Sequence, residues 1–241
     1  MARGGKRLGV KVAIKVKSAT TLYAVGCAVA VSLLVGPLAK ADETANGFAV
    51  AATAGTGGLG AEATLRGVAG FSAVDFRLAG ESYGLSHNVT YDAIAYSGKL
   101  DLSDVGAYVD LHPFSGVPLV ASFGVETGQR RLKVHAVPAI ASVTIGGVVY
   151  STAQVGTLDG SVQLSKSTPY LGLGWRQPIG SHLFLKLDAG AAFGSTPAVT
   201  LNASSGLVAQ ADLANERSKI AHDANLLKTY PLVTAGLGWR F

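Results

Sequence analysis

Apolar side chains take every second position over the last nine residues of the chain, where Val233, Ala235, Leu237, Trp239 and Phe241 alternate with Thr234, Gly236, Gly238 and Arg240. A period of two is that of a strand with one apolar face and one small or polar face. The split recurs upstream. Leu59, Ala61, Ala63 and Leu65 oppose Glu62, Thr64 and Arg66; Val74, Phe76 and Leu78 oppose Asp75, Arg77 and Glu81; Leu119, Ala121, Phe123 and Val125 oppose Ser122, Gly124 and Glu126. Leu171, Leu173 and Trp175 oppose Gly172, Gly174 and Arg176, and the odd positions from Leu183 to Phe193 oppose Lys186, Asp188 and Gly190.

Alternation alone does not separate a soluble sandwich from a barrel that faces lipid. Two further features favour the barrel. The apolar faces approach the roughly 9–11 residues of a tilted membrane strand and exceed the usual strand of about 5–6. Connections also alternate, short at 67–70, 112–117 and 177–181 and long at 84–95, 129–151 and 194–229, the asymmetry of membrane barrels. Counting back from the C-terminus gives seven strands, and the even count of such barrels brings in residues 48–53, with a turn through 55–58, as the first. The expected fold is all-β: an eight-stranded antiparallel up-and-down transmembrane β-barrel with a short helix in the last long loop.

Inside this frame, parity breaks between residues 96 and 111. Leu100 and Leu102 are even while Val105, Ala107, Val109 and Leu111 are odd, which predicts a β-bulge near Ser103-Asp104 or a strand that leaves the membrane there. Residues 144–150 suggest a hairpin around Gly146-Gly147. Residues 207–228 contain no Gly or Pro and space Leu213, Ile220 and Leu227 seven apart, predicting a helix with a narrow apolar stripe that caps the barrel mouth or lies beside its rim.

Charge changes the picture only at the N-terminus. The formal +5 includes seven basic and no acidic residues in the first 41 positions, leaving 13 basic against 15 acidic groups, a net of −2. The basic balance therefore does not argue for a nucleic-acid partner. A basic stretch to Lys17, an apolar run over 19–35 and Ala39-Lys40-Ala41 have the layout of a signal peptide, so residues 1–41 are expected to be cleaved and 42–241 to form the barrel. Cys27, the single cysteine, lies in that leader, so the mature chain would carry no disulfide or cysteine metal site.

Candidate chemistry is sparse. The glycines of residues 55–60 fit a G-x-G-x-x-G spacing, but a strand follows where a dinucleotide site needs a helix, so they read as turn glycines. His112 and His182 fall at turns and His87, His135 and His222 in loops, without metal-ligand spacing. No catalytic, cofactor-binding or metal residue is assigned, and the chain reads as a non-enzyme. Function is then expected in the lumen. Its inward polar set is Glu62, Arg66, Asp75, Arg77, Glu81, Glu126, Arg176, Lys186, Asp188 and Arg240, beside inward glycines at 60, 106, 124, 172, 174, 190, 236 and 238. The charges should pair across so narrow an interior. Each inward glycine should leave room for water or a ligand, so that a narrow wet path runs beside the pairs.

Three segments resemble a known family: Asp110-Leu111-His112-Pro113-Phe114; Pro169-Tyr170-Leu171-Gly172-Leu173-Gly174-Trp175; and Tyr230-Pro231 leading to Gly236-Leu237-Gly238-Trp239-Arg240-Phe241. They are similar to the small outer-membrane β-barrels of Gram-negative bacteria, of the OmpA-like and OmpW-like type. The resemblance implies an outer-membrane setting among phospholipid and lipopolysaccharide, and Leu237, Trp239 and Phe241 as the signal read by the barrel-assembly machinery. It implies no agreed ligand. The expected function is a structural barrel or narrow conduit for small solutes, acting as a monomer. The alternatives are a surface barrel whose loops bind a ligand or cell partner and, third, a lipid-modifying enzyme.

Overall fold

Each alternating segment is a strand in the computed structural model, which describes residues 47–68, 71–91, 94–138 and 142–241. The expected leader and its cleavage site lie outside the described residues. In chain order the elements are β1 (Gly47–Gly55), β2 (Gly58–Arg66), β3 (Val74–Tyr91), β4 (Ile94–Leu111), β5 (Leu119–Pro138), β6 (Ser142–Ile145), β7 (Val148–Ser151), α1 (Thr152–Val155), β8 (Leu158–Gln163), β9 (Ser167–Ile179), β10 (Leu183–Phe193), β11 (Ala198–Ala203), α2 (Gln210–Asp223) and β12 (Thr229–Arg240).

Among the described residues, eight strands close into an antiparallel barrel, β1, β2, β3, β4, β5, β9, β10 and β12 pairing in that order and β12 returning to β1. The first strand, inferred from sequence only by the even count, pairs on both sides, Ala49 opposite Arg240 and Ala49 opposite Thr64. At the closing seam the Phe241 N–H donates to the Phe48 carbonyl at 2.9 Å. Both described chain ends thus share one end of the barrel with the short connections at 67–73, 112–118 and 180–182. The β1–β2 hairpin at the other end turns at Gly58, whose φ of 119° suits only glycine.

β3, β4 and β5 run for 18, 18 and 20 residues, well past the barrel rim. The far half of β5 pairs with β8, and β8 with β11. A sheet wall therefore rises from one side of the mouth. This corrects the reading of 84–95 and much of 129–151 as loops, and places His87 and His135 on strands. The β-bulge expected at Ser103-Asp104 is also absent: pairing runs without a skipped residue from Val74 opposite Leu111 to Tyr91 opposite Ile94, and from Leu111 opposite Ala121 to Ile94 opposite Pro138.

What changes at that point is the surroundings. In the barrel, Leu78, Val105, Val109, Phe123 and Val125 point outward and are exposed, while Arg77, Tyr108 and Glu126 are buried inside. Past the row of Ser82, Ser103 and Gln129 the faces exchange character. Lys99, Asp101, Arg131 and Lys133 are then outside, and Leu85, Leu100, Leu102, Leu132 and Val134 inside, on an unbroken register. The parity break thus arises from an exchange of side-chain character between the two faces of a regular strand.

The inner face of the wall carries its own core. The β6–β7 hairpin turns at Gly146 and Gly147, both with positive φ. Val143, Ile145, Tyr150, Val155, Val208 and Leu213 are buried together, with Leu158, Leu201 and Ala203 of the wall packed against them. The Tyr150 hydroxyl donates to Asp212 at 2.5 Å and accepts from the Ala209 N–H, tying α2 to the hairpin; the Asp212 carboxylate raises the Tyr150 pKa above that of a free tyrosine. α2 is shorter than the 207–228 helix expected, because a 3-10 turn over Ala224–Lys228 tightens the chain before it enters β12.

Candidate functional site

Period two places one charged side chain after another on the barrel's inner face, and closure brings them into one layer. Arg77 on β3 forks onto Asp110 on β4, Nε to Oδ2 at 2.7 Å and Nη2 to Oδ1 at 3.1 Å. Asp110 Oδ2 lies 3.6 Å from Arg176 Nη2 on β9, and Arg176 Nη1 lies 2.6 Å from Asp188 Oδ1 on β10. Asp188 Oδ2 is 2.7 Å from Lys186 Nζ, Lys186 is ion-paired to Glu62 on β2, and Glu62 Oε2 returns to Arg77 Nη1 at 3.4 Å. The six groups form a closed circuit of alternating sign with no net charge. Five of its members are at most 7% exposed and Arg176 is 14% exposed, so each charge meets its partners away from bulk water.

The circuit crosses three strands that contribute no charge to it. At β5 the Ser122 hydroxyl, fully buried, accepts from Arg77 Nη2 at 3.5 Å. At β12 and β1 the inward positions are small, Gly236 and Gly238 beside Ala49, Ala51 and Thr53. That smallness lets Lys186 reach past them to Glu62, its stem packed where a Gly236 side chain would stand.

Toward the loop end, Arg130 gathers a second cluster. Its Nε lies 2.8 Å from Asp104 Oδ2 and its Nη2 2.6 Å from Glu126 Oε2, Thr168 accepts from its Nη1 at 3.4 Å, and its guanidinium lies 4.7 Å over the Tyr230 ring. Glu81, paired opposite Asp104, accepts from the Thr234 hydroxyl at 3.3 Å. Three carboxylates here face one guanidinium. At the short-turn end Asp75 holds His112 at 2.9 Å and accepts from the Gly67 N–H at 3.1 Å, while Arg240 lies 5.1 Å over the Phe184 ring and Arg66 is half-buried nearby on β2. So Glu62, Arg77, Arg176, Lys186 and Asp188 of the expected set meet in one circuit, Glu126 and Glu81 sit loopward, and Arg66, Asp75 and Arg240 line the opposite end.

The inward glycines do not leave the room expected of them. Tyr108 packs over Gly106 and Gly124, Tyr170 over Gly172 and Gly190, and Phe184 over Gly238; a Cβ at any of these glycines would stand 2.2–2.4 Å from an atom of the ring or its hydroxyl. Gly174 is covered by Asp188 and Arg176, and Gly60 by Glu81. Tyr108 and Tyr170 meet edge to face at 5.2 Å, Arg77 lies 4.1 Å over Tyr108, and the Tyr108 hydroxyl donates to Glu126 at 2.9 Å. The glycines are seats for aromatic rings, and the wet path expected beside the ion pairs is filled at these positions by side chains.

Sequence reasoning missed Asp104, Tyr108, Asp110, Ser122 as a circuit member, Arg130 and Thr168. Parity carries the signal for the first three: an inward Gly106 puts 104, 108 and 110 inward too. Arg130 falls within an expected loop only because the alternation of β5 changes face before it. Among the described residues no three of His, Cys, Asp and Glu are placed to hold a metal ion. His182 stacks on Trp239 at 5.1 Å and His135 pairs with Asp159 at 2.6 Å, so neither joins the lumen.

No protein-family model and no curated protein matches this sequence. Among solved structures, CarO of Acinetobacter baumannii is 17% identical with a TM-score of 0.55, over 80% of this chain and 97% of that chain. CarO2 of the same organism is 17% identical with a TM-score of 0.56, over 81% and 98%. A major outer membrane protein from Thermus thermophilus is 15% identical with a TM-score of 0.46, over 82% and 100%. The likeness to the two Acinetobacter proteins is one of fold, and with the strand pairing it shows a closed eight-stranded antiparallel β-barrel.

Proposed function

We propose that this chain is an integral outer-membrane barrel whose lumen is closed to solutes and whose working surface is the wall and loop cluster at the long-connection end. The observation that carries the closed lumen is the complete ion-pair circuit, roofed and floored by rings seated on glycines. An outward girdle of exposed Leu, Val, Phe and Trp supports a lipid setting, since soluble proteins rarely leave so large a contiguous apolar surface bare. The exchange of faces at Ser103 marks where that setting stops. The narrow-conduit reading requires a gap that the seated rings occupy. Purified barrel in a planar bilayer should therefore show no steady single-channel steps. Steps of constant amplitude would make the chain a pore.

The loop end faces the cell exterior in this reading, and Trp239 with Phe241 at the other end acts as the assembly signal. An epitope inserted after Asn215, which is exposed on α2, should be reached by antibody on intact cells. The same tagged protein lacking Phe241 should lose that signal and accumulate as a protease-sensitive species. Antibody access only after permeabilisation would invert the orientation, and undiminished surface signal without Phe241 would remove its role in assembly.

A further inference from the structure

Above the circuit, the inner face of the wall is apolar and part of it is uncovered. Tyr83 pairs with Leu102, and one row farther out Leu85, Leu100 and Leu132 stand side by side on the same face. Leu85 is 46% and Leu132 41% exposed, although this stretch lies past the level where the outward face has turned polar. Leu132 also forms one edge of a cleft of about 100 Å³ between the wall and α2, closed by Val199, Ile145 and Ile220. An apolar surface bared to water on the aqueous side of a barrel marks a binding site more often than an accident of packing.

The floor of this surface fixes the charge of what it takes. Glu81 and Asp104 sit directly opposite each other one row below Tyr83 and Leu102, with Glu126 one row farther in. Arg130, in the row of Tyr83 and Leu102, is ion-paired to Asp104 and Glu126, whereas Glu81 has no ion pair among the described residues; Asp104 Oδ1 has no hydrogen-bond partner while Oδ2 takes Arg130. An anionic amphiphile would bring a further negative charge to a site already in excess of it. A carboxylate without an ion-pair partner, as at Glu81, favours a charged N–H donor.

From this geometry we infer that the inner wall binds a small amphipathic primary ammonium compound, its alkyl or aryl body against Leu85, Leu100 and Leu132 and its ammonium group on Glu81, in the field of Asp104. The inference rests on the loop end being the working surface, and its test is separable from that of the closed lumen. Full-length mature barrel in phosphatidylcholine nanodiscs would be titrated calorimetrically near pH 7 with hexylamine, hexanol and hexanoate, each against empty nanodiscs. Hexylamine is expected to bind saturably and at least about tenfold tighter than either comparison compound, one charge-assisted hydrogen bond being worth about that much. Asp104→Asn combined with Glu81→Gln should bring hexylamine down to hexanol, whereas Leu132→Ser should weaken both alike. Should these variants fail to give heat-modifiable barrel, the three-ligand comparison on the unaltered protein decides alone. Hexanoate binding as well as hexylamine, or an amine preference that survives the double carboxylate change, overturns the inference. A silent barrel without amine preference leaves the closed lumen standing, and a conducting barrel with amine preference does the reverse.

Discussion

Replacing Arg77 with alanine is expected to lower the stability of the barrel by about 3–5 kcal/mol, the usual cost of removing one partner from a buried ion pair, and to admit ion current through the lumen. Arg77 touches more of the interior than any other circuit member: it forks onto Asp110, returns to Glu62, donates to Ser122 and covers Tyr108. Its loss leaves Asp110 with Arg176 at 3.6 Å and Glu62 with Lys186, and since Asp188 already pairs with both of those cations, three carboxylates then share two cations. The heat- or urea-induced shift in gel mobility reads the stability, and planar-bilayer recording reads the current. Arg77→Lys should recover part of the stability, since one ammonium cannot fork onto Asp110 as a guanidinium does. An Arg77→Ala barrel as stable and as silent as the parent would show that the circuit neither holds nor plugs it.

Gly124→Leu should have the next largest effect, a loss of about 2–4 kcal/mol from overpacking together with a displaced buried hydrogen bond. Gly124 has no strained backbone requirement; its role is to leave space for the Tyr108 ring, which a leucine would expel from Arg77 and Glu126. The measurement that isolates this cause is a second substitution. Tyr108→Ala alone should be destabilising, yet Gly124→Leu with Tyr108→Ala should recover part of what Gly124→Leu loses, because the leucine then fills the volume the ring vacates while its Cβ still meets the Ala107 carbonyl. Strict additivity of the two losses would assign Gly124 some other role.

The barrel is legible in the sequence because its signal is redundant. Alternation in seven segments, paired with three short connections, leaves little else to assemble, and the even count supplies β1 from a segment whose own pattern is thin. The wall is not legible for a physical reason: past Ser82 and Gln129 the apolar residues of β3 and β5 move to the opposite face, so a reader tracking one parity sees those strands end. Arg130, Arg131 and Lys133 then look like loop chemistry, although Arg130 still faces inward. The circuit is half legible. Parity puts Arg77, Glu62, Lys186, Asp188 and Arg176 inside, but which of them meet depends on the stagger of strands around the barrel, which no single strand encodes. The glycines mislead because a missing side chain shows room at one residue, while the ring that occupies the room comes from a residue two positions away or from a neighbouring strand.

The exchange of faces along β3, β4 and β5 also sets a depth. A barrel with a uniform outer surface can ride up or down in a bilayer at modest cost, but here the outward row changes from Val105 and Val125 to Lys99, Arg131 and Lys133 within a few residues. Sinking by one strand pair, about 7 Å along the strand, would press those cations toward hydrocarbon, where a basic side chain costs up to about 2–4 kcal/mol at the midplane and progressively less near the surface. Rising by the same amount would bare Val105 and bring Val125 to the boundary. In the proposed membrane setting the wall would work as a waterline, keeping the mouth at a constant height above the lipid surface, so that anything docking there would meet the protein at the same level.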